Sequence, residues 1–355
     1  MTNSFIYKRV AAALILAGAV LAAGGCGKTV PTAKTDSGYK AASDADYKTA
    51  QASFQQALTE GEDAVSAGRG LGIALMGQAK YKEAAQAFTD ALAATDGRMP
   101  DTVTDLLEYK ASAQYRMKDY DGTIASCGSI IELDDKNVSA YYFLGASYLC
   151  KGDQDKAKVN FDYAVSLRPK DYELYLNIYA SYQENKLSAA GGGYLQTALG
   201  ITPSAPEDYY RIGQIYYYLG QYDEAKEALI EPVKENYIPA MSLMGQIYLA
   251  QGDEDNAKAT YTQIQETGGE SADSYNGLAL CAIQAGDPDT ALTYISKGLE
   301  MEGSEGKQEL YFNEIVAYEK KLDFLTAKDK CQTYVDNYPA DEAGQKELLF
   351  LNTRG

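Results

Sequence analysis

A recurrence of about 34 residues constrains this chain more than any other feature in it. In YYFLGASYLCKGDQDKAKVNFDYAVSLRP, residues 141–169, Tyr141, Leu144, Gly145 and Tyr148 share one helical face at spacings of three and four. Gly152 interrupts that helix, Ala157, Phe161 and Ala164 mark a second, and Pro169 ends it. Shifted by 34 residues, Gly145 becomes Tyr179 and then Gly213, Tyr148 becomes Tyr182 and Tyr216, and Pro169 becomes Pro203. One mostly small position runs through nearly the whole chain: Ala50, Ala84, Thr123, Ala157, Gly191, Ala225, Ala257, Ala291 and Ala327, at intervals of 34, 39, 34, 34, 34, 32, 34 and 36. Such a period signals stacked helical units, none of which can bury its apolar face alone.

The pattern resembles the tetratricopeptide repeat family, whose 34-residue unit has large residues at positions 4 and 11, a small one at 8, Ala at 20 and 27, and Pro at 32. The resemblance covers about 300 of the 355 residues. It implies an all-α, right-handed superhelical solenoid of about eight to nine helix-turn-helix repeats over 44–341, closed by a C-terminal capping helix over 342–355. In that helix Leu348, Leu349 and Phe350 are available for the inner face. Gly145, Gly213 and Gly245 at position 8 are expected to meet Ala157, Ala225 and Ala257 at position 20 where the two helices cross. Tyrosines at position 4 (Tyr141, Tyr175, Tyr209, Tyr275, Tyr311) and position 11 (Tyr148, Tyr182, Tyr216, Tyr248, Tyr318) are expected to fill the space between pairs. Gly152, Gly220, Gly252 and Gly286 fall at position 15, a helix end that favours the left-handed conformation. The weakest member is Gly191: the three glycines of SAAGGGY predict a short or frayed helix. The first unit matches only over DYKTAQASFQQAL, the residues before it reading as tether.

The stretch AAGGCGKT, Ala22–Thr29, reads two ways. It fits a relaxed phosphate-loop pattern, with Lys28 as the phosphate cation. It also places Ala23, Gly24 and Gly25 before Cys26, behind Lys8, Arg9 and the apolar run Val10–Ala23. That order of cations, apolar run and small residues is a secretory signal, and the run is shorter than the 18 or so residues of a spanning helix. A phosphate loop needs a strand before it and a helix after it, and VPTAKTDSGYKAAS, punctuated by Pro31 and Gly38, starts no helix on its pattern. The stretch therefore resembles the lipobox of bacterial lipoproteins, although Ala23 stands where Leu is commonest. This reading makes 1–25 a signal peptide, Cys26 the lipidated anchor and 26–43 a flexible tether, and places the protein on the extracytoplasmic face of a cell membrane.

Composition limits the chemistry. There is no histidine, so Ser-His and Cys-His nucleophile activation and histidine-ligated metal sites are excluded. A net charge of −18 opposes nucleic acid and anionic head groups and favours neutral or cationic partners. Cys127, Cys150, Cys281 and Cys331 contain no C-x-x-C pair and sit where small apolar side chains suit a helical core; export would also permit disulfides. The acids that follow position 15 (Asp153, Asp155, Asp223, Asp253, Asp255, Asp287, Asp289) suit an N-cap or the first helical turn. A calcium loop needs Gly sixth and Glu twelfth; Lys158 and Ala164 stand there from Asp153, and Lys258 and Ile264 from Asp253. Neither metal nor cofactor is expected.

The family resemblance implies recognition by the concave groove, lined by positions 2, 5, 9, 12 and 13 of the first helix. Those positions give Tyr142 and Leu149, then Glu173, Gln183 and Glu184, then Glu207, Tyr210, Gln214, Tyr217 and Tyr218. The basic carboxylate clamp of some relatives is not expected, because Tyr142, Ala146, Leu176 and Ala180 occupy its positions. The expected function is a non-enzymatic, membrane-tethered scaffold for a protein or peptide, in envelope assembly or complex organisation. Two alternatives stay open: a glycan-acting enzyme using carboxylates alone, and a structural spacer with no groove ligand.

Overall fold

The computed structural model describes residues 32–354 apart from 96–98, 302, 304, 305 and 340. The expected signal, Cys26 and the start of the tether lie outside the described residues. All regular structure among the described residues is helical. The chain divides into two compact units between Tyr194 and Leu195. The N-terminal unit holds α1 (Ala33–Ser43), α2 (Tyr47–Glu60), α3 (Ala64–Gly77), α4 (Tyr81–Ala93), α5 (Pro100–Arg116), α6 (Tyr120–Leu133), α7 (Val138–Cys150), α8 (Gln154–Leu167), α9 (Tyr172–Glu184) and the start of α10 (Ser188–Ala198). The C-terminal unit holds the rest of α10, then α11 (Pro206–Tyr218), α12 (Tyr222–Lys234), α13 (Ile238–Gln251), α14 (Glu254–Glu266), α15 (Ala272–Gln284), α16 (Pro288–Glu300), α17 (Lys307–Lys320), α18 (Phe324–Asn337) and α19 (Glu342–Leu351).

The helices pair as the period requires. In the N-terminal unit the first helices of successive repeats touch in the series α1, α3, α5, α7 and α9; in the C-terminal unit they touch in the series α11, α13, α15 and α17. No comparable contact joins successive second helices among the described residues. First helices therefore form the inner layer of each stack. Position 15 ends every one of them in the left-handed region, whatever residue stands there: Gly152, Gly220, Gly252 and Gly286, but also Ala45, Ala79, Lys118, Lys186 and Leu322 at φ between 56° and 63°. A non-glycine residue there carries about 1–2 kcal/mol of strain, which the stacking overrides. Of the acids that follow, Asp153, Asp253 and Asp287 are caps, accepting from the backbone N–H three residues on, as do Asp46, Asp119 and Asp323 in other repeats, while Asp155, Asp223, Asp255 and Asp289 stand in the first helical turn.

The helix crossing differs from the simple expectation of small against small. Position 20 is fully buried in Ala157, Ala225 and Ala257, but the space left by the position-8 glycine is filled by the residue four further on, at position 24. A Cβ on Gly145 would lie 2.6 Å from the Phe161 ring, one on Gly213 2.6 Å from Leu229, and one on Gly245 2.7 Å from Tyr261. The same logic explains Gly191. Position 8 of its repeat is the bulky Tyr179, and a Cβ on Gly191 would lie 3.2 Å from that ring and 2.7 Å from the Tyr182 Cβ. The glycine is a compensation for tyrosine. Helix α10 is 11 residues long, against 13 or 14 in the second helices α8 and α12.

Three expectations need correction. Residues 33–43 of the expected tether form α1, which completes the first repeat with Gly38 at position 8 against the Phe54 ring. Buried Glu62 pins its start, accepting from the Lys34 and Thr35 backbone N–H groups at 2.9 Å each and from the Thr35 hydroxyl at 2.6 Å. In α19, Leu348 is half-buried and Leu351 fully buried, one helical turn apart, so Leu349 and Phe350 point to solvent, at 69% and 42% exposure. Of the position-4 tyrosines, Tyr175 and Tyr275 are buried, whereas Tyr209 and Tyr311 are exposed.

Candidate functional site

The expected groove residues do not share one environment. Leu149, Tyr142 and Tyr217 are buried, at 2%, 8% and 7% exposure, and belong to the core, so none presents its side chain to a partner. Leu149 and Tyr217, both at position 12, turn inward, and the Tyr217 ring lies 5.8 Å from that of Tyr222 at the start of α12. Glu173, Gln183, Tyr210, Gln214 and Tyr218 are half-buried, and Glu184 and Glu207 are exposed. These seven remain accessible on the first helices.

In the N-terminal unit, α5, α7 and α9 bring together a polar, aromatic cluster, buried at Tyr142 and Ser181 and half-buried at Tyr115, Cys150 and Asn185. The Tyr142 hydroxyl lies 3.1 Å from the Ser181 hydroxyl, and the half-buried Cys150 thiol is 3.6 Å from the Tyr115 hydroxyl and 3.7 Å from the Asn185 amide nitrogen. Burial pushes the Tyr142 phenol up to about 12, partly opposed by its bond to Ser181. Glu184 is exposed, yet desolvation raises its carboxyl above its ordinary value against the pull of Arg116. Sequence reasoning did not name Tyr115 and Cys150, although they stand at positions 12 and 13 of their repeats; Asn185, at position 14, carries no such signal and is brought to Cys150 only by the register between α7 and α9. None of the four described cysteines is paired, and burial pushes the thiols of Cys127, Cys281 and Cys331 up to about 12, which keeps them protonated and unreactive.

In the C-terminal unit, α11 carries a chain of polar contacts. Arg211 donates to the Gln214 side-chain oxygen at 3.0 Å, and Gln214 donates to the Tyr210 hydroxyl at 3.1 Å. The Arg211 guanidinium lies 5.4 Å from the Tyr210 ring centroid, and Tyr210 meets Tyr237 edge-to-face at 5.4 Å. Beside this pair opens a cavity of about 430 Å³, lined by Pro206, Glu207, Pro232, Glu235, Tyr237 and Ile238 among others. Its walls are stiff. Pro232 is buried near the end of α12, its carbonyl accepts from the Tyr237 N–H at 2.9 Å, and Asn236 turns the chain at φ 56°.

Family models described as tetratricopeptide repeat match residues 36–98 and 242–302, and a second set matches 138–171 and 209–231. Together they cover about half of the chain. The chain belongs to the tetratricopeptide repeat family. A TPR repeat-containing protein of Methanocaldococcus jannaschii is 26% identical over 168 residues, covering 44% of this chain and 29% of its own. This tetratricopeptide repeat chain thus spans less than a third of that relative's length. Among solved structures, a tetratricopeptide repeat protein from Parabacteroides merdae is 17% identical, with a TM-score of 0.46 over 70% of this chain and 97% of that one. PilW, a type IV pilus biogenesis factor, is 21% identical, with a TM-score of 0.41 over 58% and 97%. The cavity lies outside the matched stretches: residues 232–239 fall between the segments ending at 231 and starting at 242, and Pro206 and Glu207 precede 209.

Proposed function

We propose that this tetratricopeptide repeat protein is an exported scaffold, held at a membrane by lipid on Cys26, that takes a polypeptide partner against its first helices. The observation that carries the reading is on α11, where Glu207, Tyr210 and Gln214 remain accessible although the repeat core does not require them. Half-buried but accessible aromatic and amide groups beside an exposed acid suit a neutral or cationic polypeptide, in keeping with the net charge of −18. Its work is organisation of complexes at the envelope, by recognition and not by catalysis.

A photocrosslinker placed at Gln214 in cells is expected to trap a partner that the same probe at Tyr163, exposed on a second helix, does not trap. With that partner purified, Tyr210→Ala combined with Gln214→Ala should weaken binding by more than about 1 kcal/mol, or roughly fivefold, at unchanged helicity. Equal affinities would move the site away from α11. The anchor has its own expected result. Cys26→Ser should release or block processing of the protein, because only the thiol accepts the lipid, and stable attachment needs more than one acyl chain. Mass spectrometry finding a free Cys26 thiol in membrane-bound protein would remove the anchor from the reading.

A further inference from the structure

We propose that the cavity between α11 and the turn joining α12 to α13 receives a lysine or arginine side chain of the polypeptide partner, its cation held by Glu207 and Glu235. The inference rests on the scaffold reading and names what that scaffold recognises. Both carboxylates line the cavity and are exposed, and neither forms an ion pair or side-chain hydrogen bond among the described residues. This is unlike many acids elsewhere on the surface: Asp121 pairs with Lys151, Asp289 with Lys321 and Asp223 with Lys226. Cations close in sequence are committed in other directions. Lys234, adjacent to Glu235, binds Glu231 at 2.6 Å, and Arg211 lies over the Tyr210 ring with Gln214 as its acceptor.

The remaining walls suit an aliphatic stem. Pro206, Pro232 and Ile238 offer apolar surface and the Tyr237 ring offers a π face, on which long cationic side chains lay their methylenes while the head group reaches charge. A volume of about 430 Å³ lies in the range of ligand sites and exceeds what one side chain fills, so the flanking backbone of the partner enters as well. The prolines and the hydrogen-bonded turn hold the walls before binding, which lowers the ordering cost.

The test uses the full chain without its leader and the blocked tripeptides Gly-Arg-Gly, Gly-Lys-Gly, Gly-norleucine-Gly and Gly-Gln-Gly, with spermidine as a non-peptide cation. Titration followed by amide NMR should show saturable shifts at Asn236, Tyr237 and Ile238 with the arginine and lysine peptides. Affinity should fall at least tenfold in Glu207→Gln/Glu235→Gln, fall with added salt, and be absent for norleucine and glutamine. Equal binding of the uncharged peptides, binding of spermidine in preference to the cationic peptides, or an unchanged affinity in the double variant would overturn the proposal. If the cationic peptides fail while Tyr210→Ala/Gln214→Ala still weakens the purified partner, this inference falls and the scaffold reading stands. Cavity binding with partner affinity indifferent to the α11 changes gives the reverse result.

Discussion

Gly145→Leu is expected to destabilise the N-terminal unit by about 3 kcal/mol, and Phe161→Ala by about 3–5 kcal/mol, while the two together cost less than their sum. The Phe161 ring is fully buried and occupies the volume that a side chain at 145 would need, with 2.6 Å left for a Cβ where about 3.5 Å is contact distance. Leucine at 145 must push α7 off α8, which also disturbs Tyr182 and Tyr194, whose rings lie 5.7 and 6.2 Å from Phe161. Once the ring is gone, the leucine fills the cavity its removal leaves. Urea unfolding of wild type, both single variants and the double variant, followed by circular dichroism, gives the coupling. Additivity within about 0.5 kcal/mol would show that positions 8 and 24 do not share one volume.

Raising the pH from 5 to 8 is expected to weaken the docking of α19, and Glu319→Gln should abolish that dependence. Burial, and then the neighbouring Glu347 carboxyl, pushes Glu319 up to about 7 from the ordinary 4.5. A folded pKa above the unfolded one means that the folded state binds the extra proton. Its contribution is therefore fully present below about pH 4.5, fades as pH rises through the interval to about 7, and is gone above it. The full shift corresponds to about 3 kcal/mol; because Glu319 is only half-buried, solvent screening reduces the expected loss to about 1–2 kcal/mol. Glu319→Gln keeps the shape and removes the titration, so it should gain that amount at pH 8 and little at pH 5. Hydrogen exchange in 342–351 and urea midpoints at the two pH values check it. An equal pH response in wild type and variant would place the titrating group elsewhere.

Much of the fold was legible because the repeat writes the same physical demand many times. The small residues at position 20, the helix ends at position 15 and the capping acids after them each answer to a local constraint of helix geometry, which sequence spacing displays directly. The period also absorbed exceptions: Lys118 and Leu322 take the same left-handed turn as Gly152 without the glycine that announces it. Where the pattern misled, the cause lay in a partner on the other helix of the same repeat or just past its end, which spacing along one helix does not display. Residues 33–43 look like tether until Glu62 is seen to hold their N–H groups. Gly191 looks like a flaw until Tyr179 is seen filling its place.

The candidate site was legible only in part, for the same reason. Counting positions along a repeat assigned Glu207, Tyr210, Gln214 and Glu184 to an accessible face, because side-chain direction on a helix follows from sequence spacing. Counting also assigned Leu149 and Tyr217 to that face, and packing against the adjoining helices turned them into core. The cavity had no signal to count. It forms where Tyr237 replaces the expected proline at position 32, Asn236 adopts a left-handed turn and Pro232 stands buried inside the last turn of α12. By itself the sequence determined the period, the helix pairs and their caps, since those depend on residues within one repeat. Tertiary structure alone decided which side chains were covered and where an opening was left, since both depend on volumes contributed by neighbouring helices and not on the spacing within any one of them.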